Sequence, residues 1–200
     1  MRNQLLARIE NQNFNLSINE TNFVNYLLYD FQLAILEKLD FRRRIKKTKH
    51  LIIMATGTGK TVISAFDYCQ QIKNHHGRKP KLLFLAHQKE IIEQALNTFR
   101  NVLKDKNFGQ ILNVKTKNFS YDYLFATIQT VYRHLNQFNC NQFDLIIFDE
   151  AHHIAADTFD QVFNYFQPQE VIGLTATPER EDNKSILPYF DYEFAYELRL

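Results

Sequence analysis

The stretch Met54 to Thr61, Met-Ala-Thr-Gly-Thr-Gly-Lys-Thr, restricts this chain more than any other. It follows the apolar run Leu51-Ile52-Ile53 and precedes Val62 to Cys69, which reads as a helix. Gly57 and Gly59 let the backbone curl so that several N–H groups point inward. The positive end of the following helix adds to them, and the turn from Thr56 through Thr58 to Lys60 is suited to phosphate. Lys60 would meet the β- and γ-phosphates, and the Thr61 hydroxyl would ligate Mg²⁺. The common pattern G-x-x-x-x-G-K-[ST] has glycine where this chain has Met54. Gly57, Gly59, Lys60 and Thr61 make the cradle without it.

Two hundred residues suit one domain, and the 45% that are hydrophobic supply a sizeable core. The net charge of +2, from 24 basic and 22 acidic residues, does not by itself demand nucleic acid. Cys69 and Cys140 lack C-x-x-C spacing and read as reduced thiols of a cytoplasmic protein. No apolar run approaches the ~18 residues of a membrane helix. The polar, Asn-rich N-terminus lacks the apolar centre of a signal peptide.

Periodicity divides the chain into a helical N-terminal extension, residues 1–27, and one domain, residues 28–200. In the extension, Leu5, Leu6 and Ile9 fit a short helix face, and Thr21 caps a helix over Asn22 to Leu28. Tyr29 to Lys47 reads as a longer helix with Asp30 as its cap, carrying Gln32 in its first turn. Six of the eight residues from Arg42 to Lys49 are basic. A solvated helix end is the plainer reading of that run, and a nucleic-acid contact the sharper one. Strands are expected at His50 to Ala55, Lys81 to Ala86, Ile111 to Val114, Tyr123 to Ala126, Phe143 to Phe148, Val171 to Leu174 and Phe194 to Leu198. Further helices are expected over Glu90 to Leu103, from a Thr127 cap to Phe138, and over Asp157 to Phe166.

Strands that alternate with helices imply an α/β fold, a mostly parallel central sheet with helices on both faces. Ligands of such sheets bind at the carboxyl ends of the strands. Thr56 to Thr61, His87, Thr127, Asp149-Glu150 and Thr175 all fall at such ends. Asp149 closes the apolar strand Leu145 to Phe148, as a rigidly held carboxylate beside a phosphate loop should, and would act on the metal directly or through its water. Glu150 is then placed to orient and deprotonate an attacking water. His152-His153 and His75-His76 lack the further ligands that zinc requires.

Together these stretches resemble the first motor lobe, a RecA-like P-loop NTPase domain, of superfamily 2 DEAD/DEAH-box helicases and translocases. Met54 to Thr61 resembles motif I, Asp149-Glu150-Ala151-His152 motif II, and Leu174 to Arg180 motif III with its flank. Phe84 to His87 resembles motif Ia, Ala126 to Thr130 motif Ib, and Phe31-Gln32 the end of the upstream glutamine motif. The wording is nearest to the restriction-enzyme branch, the motor subunits of type I and type III restriction enzymes.

The resemblance implies an ATP-binding lobe of a nucleic-acid-dependent ATPase, using ATP and Mg²⁺ on duplex DNA in restriction or repair. An RNA helicase lobe and a non-catalytic nucleotide-binding or nucleic-acid-binding module stay open as alternatives. It implies adenine recognition by Gln32, coupling of nucleotide state to movement by His152, Thr175 and Thr177, and a nucleic-acid track along His87, Thr127 and Gln129. Tyr29-Asp30-Phe31 replaces the usual Arg-Pro-Tyr, and Gln88 stands where relatives often have arginine. The family also has a second lobe that carries motifs IV to VI and a catalytic arginine, whereas 20 residues follow Arg180 here. The expectation is that these 200 residues hydrolyse ATP poorly by themselves and unwind nothing.

Overall fold

The computed structural model describes residues 23–116, 118–151, 156–177 and 185–198. Seven strands form one sheet: β1 (Lys49–Met54), β2 (Leu82–Ala86), β3 (Gln110–Ile111), β4 (Tyr123–Thr127), β5 (Leu145–Asp149), β6 (Glu170–Thr175) and β7 (Tyr196–Leu198). Their order is β3-β4-β2-β5-β6-β1-β7, and every pairing is parallel. Among the described residues, five helices surround it: α1 (Asp30–Arg44), α2 (Lys60–Asn74), α3 (Lys89–Leu103), α4 (Ile128–Arg133) and α5 (Ala156–Tyr165).

All five residues of β2 and of β5 are buried. A parallel sheet covered on both faces needs such continuous apolar strands. Successive side chains then serve opposite cores. Ile52, Phe84, Phe125 and Ile147 face α1, α2 and α3 through Leu36, Tyr68 and Phe99. Leu51, Leu85, Leu124 and Phe148 face α4 and α5 through Val131, Phe159 and Val162. The sheet is thereby clamped from both sides, and only its strand ends are left to carry polar chemistry.

Several expectations need correction. Residues 23–29 form no helix. Phe23 lies beneath the ammonium groups of Lys104 and Lys106, 5.5 and 5.7 Å from its ring centroid. The Val24 amide donates to Asn101 Oδ1 at 3.3 Å, so this segment is tied to the end of α3 instead of coiling on itself. Asp30 is the first residue of α1, and extended Tyr29 (φ −74°, ψ 158°) precedes it as the N-cap. The strand expected at Ile111 to Val114 stops at Ile111. Asn113 Oδ1 accepts the Lys115 amide at 3.1 Å, a local side-chain bond that competes with the ladder. The helix expected to reach Phe138 ends at Arg133 and gives way to a 3-10 turn at Leu135–Gln137. Thr127 precedes it with no capping bond, its hydroxyl lying 2.7 Å from that of Thr130. The helical face of Leu5, Leu6 and Ile9 lies outside the described residues, as do His152 and the flank Pro178 to Arg180.

The basic run is divided: Arg44 and Lys46 are exposed, as a solvated helix end should be, whereas Arg42 is buried and Arg43 half-buried. Arg43 bridges two acids, Asp67 of α2 (2.5 and 2.8 Å) and Glu170 of β6 (2.7 to 3.1 Å). Arg42 donates to buried His50 Nδ1 (3.2 Å), to the Lys49 carbonyl (3.2 Å) and to Glu193 (3.1 Å). Arg44 pairs with Asp40, Lys47 with Glu193 and Lys49 with Asp191. Arg42, Arg43, Lys47 and Lys49 thus reach acids more than a hundred residues downstream, and they bind α1 to the amino end of the sheet.

Candidate functional site

At the opposite, carboxyl end of the sheet, β1 leads into the loop and the loop into α2. Gly57 (φ +81°) and Gly59 (φ +87°) both take the left-handed conformation that side chains resist. Thr58 tightens the turn through its hydroxyl, which donates to the Ala55 carbonyl at 2.6 Å. Met54 explains the missing glycine. Its side chain is fully buried in the core, and its carbonyl alone faces the loop, accepting from Lys60 Nζ at 3.1 Å.

The sheet order places β6 between β5 and β1, so the acidic pair ends two strands from the loop. Thr61 Oγ1 donates to Asp149 Oδ2 at 3.3 Å. Lys60 Nζ lies 3.2 Å from Glu150 Oε1. Asp149 also accepts the Glu150 amide on its other oxygen at 3.0 Å. Glu150 itself has φ +51°, so the chain turns sharply as it leaves β5. Burial pushes the Asp149 carboxyl up to about 6; the neighbouring Glu150 charge adds to this, while Lys60 and the Thr61 bond oppose it. A carboxylate so strained by burial and like charge gains from a second cation. Its pairing with a hydroxyl gives two hard oxygen donors, the set that Mg²⁺ prefers when it keeps part of its water shell. The loop amides and Lys60 supply the matching positive wall for phosphate.

Gln32 is buried, and both ends of its amide are engaged. Oε1 accepts the Tyr29 amide at 3.0 Å, and Nε2 donates to the Thr58 carbonyl at 3.0 Å. A Cβ on Gly59 would stand 2.6 Å from that Nε2. Gln32 is therefore a brace on the loop backbone in this structure. Thr175 ends β6 between the loop and the acidic pair. It is fully buried, and its hydroxyl donates to the Thr177 carbonyl at 2.6 Å. His87, Thr127 and Gln129 follow or end β2 and β4, which pair with Ala86 beside Thr127. They share the carboxyl edge with the loop, but β5 and β6 stand between. Two contributors carried no sequence signal: the Met54 carbonyl, a backbone atom, and Ser64, whose hydroxyl donates to the Thr61 carbonyl at 2.8 Å.

Residues 25–180 match the family described as type III restriction enzyme, res subunit. The chain belongs to that family. Among relatives, it is 31% identical to IRC3 of Saccharomyces cerevisiae, which is named as an ATP-dependent helicase, over 70% of this chain and 22% of that protein. It is 30% identical to the type I restriction enzyme EcoAI endonuclease subunit of Escherichia coli, over 74% of this chain and 19% of that one. The chain therefore spans about a fifth of the length of these curated relatives. The same fold occurs in the type ISP restriction-modification enzyme LlaBIII bound to DNA (TM-score 0.62, 22% identity, covering 84% of this chain and 14% of that one). The seven parallel strands and their helices form a RecA-like α/β fold.

Proposed function

We propose that residues 28–200 are the first motor lobe of an ATP-dependent DNA helicase or translocase of restriction or repair type, with residues 1–27 as a separate extension. One observation carries the reading. Thr61 with Asp149, and Lys60 with Glu150, converge from opposite halves of the chain in a single polar site. The names of the relatives support ATP-dependent helicase or restriction activity, and the DNA in the LlaBIII complex supports nucleic acid as partner.

In this reading Thr61 and Asp149 hold Mg²⁺, which neutralises phosphate charge when bound. Lys60, together with the amides of Thr56 to Gly59, holds the β- and γ-phosphates. Glu150 leaves its pairing with Lys60 to orient a water and accept its proton. Thr175 and Thr177 couple the site to lobe movement, as His152 does by resemblance, and His87, Thr127 and Gln129 line a nucleic-acid track. Efficient turnover needs a second lobe with its arginine, a group that contributes about 10³–10⁵ in rate. The free thiols of Cys69 and Cys140 favour a reducing, cytoplasmic setting. Among the described residues no helix is long and apolar enough to cross a membrane.

The test is ATP turnover by the intact protein with duplex DNA, single strands and RNA. Duplex DNA should stimulate most, and Glu150→Gln should lower turnover by roughly 10²–10⁴ while ATP still binds. Full activity in Glu150→Gln refutes the assignment. Stimulation by RNA alone makes the chain an RNA helicase lobe.

A further inference from the structure

A cavity of about 420 Å³ opens at the amino end of the sheet, the far edge from the phosphate loop. Sites that hold small molecules run to roughly 300–1,000 Å³. The ends of α1 and α2 line it, together with the residues that lead into β5 and β6. Among the described residues of the lining, Pro80 alone is apolar and none is aromatic.

Helix C-termini attract cations on their own account. Here the chain's own amides already cap them. The α1 carbonyls of Phe41, Arg43 and Arg42 accept the amides of Ile45, Lys46 and Lys47, and the α2 carbonyls of Gln71, Lys73 and Ile72 accept those of His75, His76 and Gly77. Arg43 is taken up by Asp67 and Glu170, and Lys47 by Glu193. Lys46 and His75 have no side-chain partner among the described residues, and both line the cavity. Arg78 comes only to 3.7 Å from Asp144, beyond hydrogen-bond range. Both Asp144 oxygens already accept, Oδ2 from the Lys81 amide at 2.8 Å and Oδ1 from Gln169 Nε2 at 3.0 Å. Lys46, His75 and Arg78 are thus donors left over after the local acids and helix ends are satisfied.

Deeper in, Gln71 is 5% exposed yet lines the same cavity. Its Nε2 donates to Asp67 Oδ2 at 3.0 Å, which leaves Oε1 as the open atom, and among the described residues nothing donates to it. Buried acceptors are nearly always satisfied, so the donor for this one has to enter through the cavity. The lining therefore suits a ligand with an anion at one end and hydroxyl donors at the other. Phosphate fits an arginine, a lysine and an imidazole. Sugar hydroxyls fit a carboxamide oxygen and the remaining lone pairs of Asp144. A base would find no ring to stack on.

We infer that the amino edge of the sheet carries a sugar-phosphate site, with the phosphate monoester on Lys46, His75 and Arg78 and the hydroxylated body on Gln71 Oε1 and the Asp144 carboxylate. A free pentose phosphate and the 5′-phosphorylated terminal ribose of an RNA strand present the same chemistry. The site stands apart from the phosphate loop and does not rest on the nucleotide reading.

The experiment is calorimetric titration of the full chain with ribose 5-phosphate, ribose and inorganic phosphate, alongside Lys60→Ala, Arg133→Gln and the double variant Lys46→Gln/Arg78→Gln. Ribose 5-phosphate should bind at least about tenfold tighter than ribose or inorganic phosphate. The double variant should weaken it by about tenfold or more, for two lost charge-assisted contacts. Lys60→Ala, which disables the phosphate loop, should bind it unchanged, as should Arg133→Gln, which removes an exposed charge at the end of α4. Lys46 and Arg78 are exposed, and matching circular dichroism melts certify that the double variant is folded. A ribotrinucleotide with a 5′-phosphate, compared with its 5′-hydroxyl twin, separates the sources. A tenfold preference that the double variant loses assigns the strand end, and binding of ribose 5-phosphate alone assigns the free sugar phosphate. Failure of both phosphorylated probes to bind overturns the inference, as does undiminished binding by the double variant. Loss of binding in Lys60→Ala overturns it by placing the ligand at the loop. Inorganic phosphate that binds as tightly as ribose 5-phosphate overturns it by reducing the cavity to a simple anion site.

Discussion

Replacing Arg43 by Met should destabilise the fold more than any exposed charge change. The guanidinium is bidentate to Asp67 and bonded to both oxygens of Glu170, at 2.5 to 3.1 Å. Its side chain is 17% exposed, that of Asp67 0% and that of Glu170 12%. Methionine fills much of the stem volume, so the loss is chiefly electrostatic. Two carboxylates then sit in the protein without their shared cation. Removing one partner of a buried pair costs about 3–5 kcal/mol. A second route agrees: hydrogen bonds to charged groups are worth roughly 1.5–3 kcal/mol each, and one set is lost to each acid. In a chain of this size 1 kcal/mol moves the melting midpoint by about 2–4 °C, so a fall of roughly 6–20 °C follows. Urea unfolding followed by circular dichroism gives the free energy directly, with the midpoint shifting and the slope unchanged. Glu193→Gln, which loosens only exposed partners of Arg42 and Lys47, is the control and should leave the midpoint within error. Adding Asp67→Asn to Arg43→Met should restore part of the loss, because neighbouring charges are not additive. A loss below about 1 kcal/mol for Arg43→Met would show that the cluster is not desolvated as its geometry states.

The same cluster makes stability depend on acid. His50 is fully buried and its pKa is pushed down to about 3, first by burial and then by Arg43 and Arg42 against an opposing pull from Asp67. The unfolded chain therefore binds the extra proton below about 6.5, and the stability from neutral His50, complete above that pH, is lost as pH falls toward 3. His50→Asn should flatten that acid limb in urea melts at pH 7, 5 and 4; a limb of unchanged slope would assign the effect elsewhere. Gly173→Ala should cost about 1–3 kcal/mol by overpacking. Its Cβ would meet the Phe190 ring at 2.5 Å and Leu51 Cδ1 at 3.1 Å. Phe190→Leu in the same chain should recover part of this in thermal melts, and no recovery would point to the backbone instead of the ring.

The strands of the central sheet were legible because each is an apolar run bounded by polar turns, and burial on both faces allows little else. The loop was legible from Gly57, Gly59 and Lys60, and its acidic partners from their place after Leu145 to Phe148. Short elements were not. The ends of β3 and α4 are set by Asn113 bonding its own backbone and by a change to a 3-10 turn at Leu135, energies too small and too local for hydrophobic periodicity to register. The segment from Asn22 to Leu28 read as a helix because Thr21 is a residue type that caps one. Its conformation is decided by Lys104 and Asn101, which are distant in sequence.

The basic run and Gln32 proved to be two ends of one structure. Ten to twelve residues of α1 separate Gln32 from Arg42 to Arg44, about 15–18 Å at 1.5 Å each. One end braces the Thr58 carbonyl at the loop, and the other fastens to Asp67, Glu170, His50 and Glu193 at the opposite edge of the sheet. Between them Leu33, Ile35, Leu36 and Leu39 pack on the core. Apolar packing alone is non-directional and would let a helix slide or rotate by a fraction of a turn at small cost. A polar anchor at each end removes that freedom, because any slide breaks the buried pairs of Arg43 before it moves Gln32. Arg42 and Arg43 thus act on the loop by fixing the register of the helix that carries its brace.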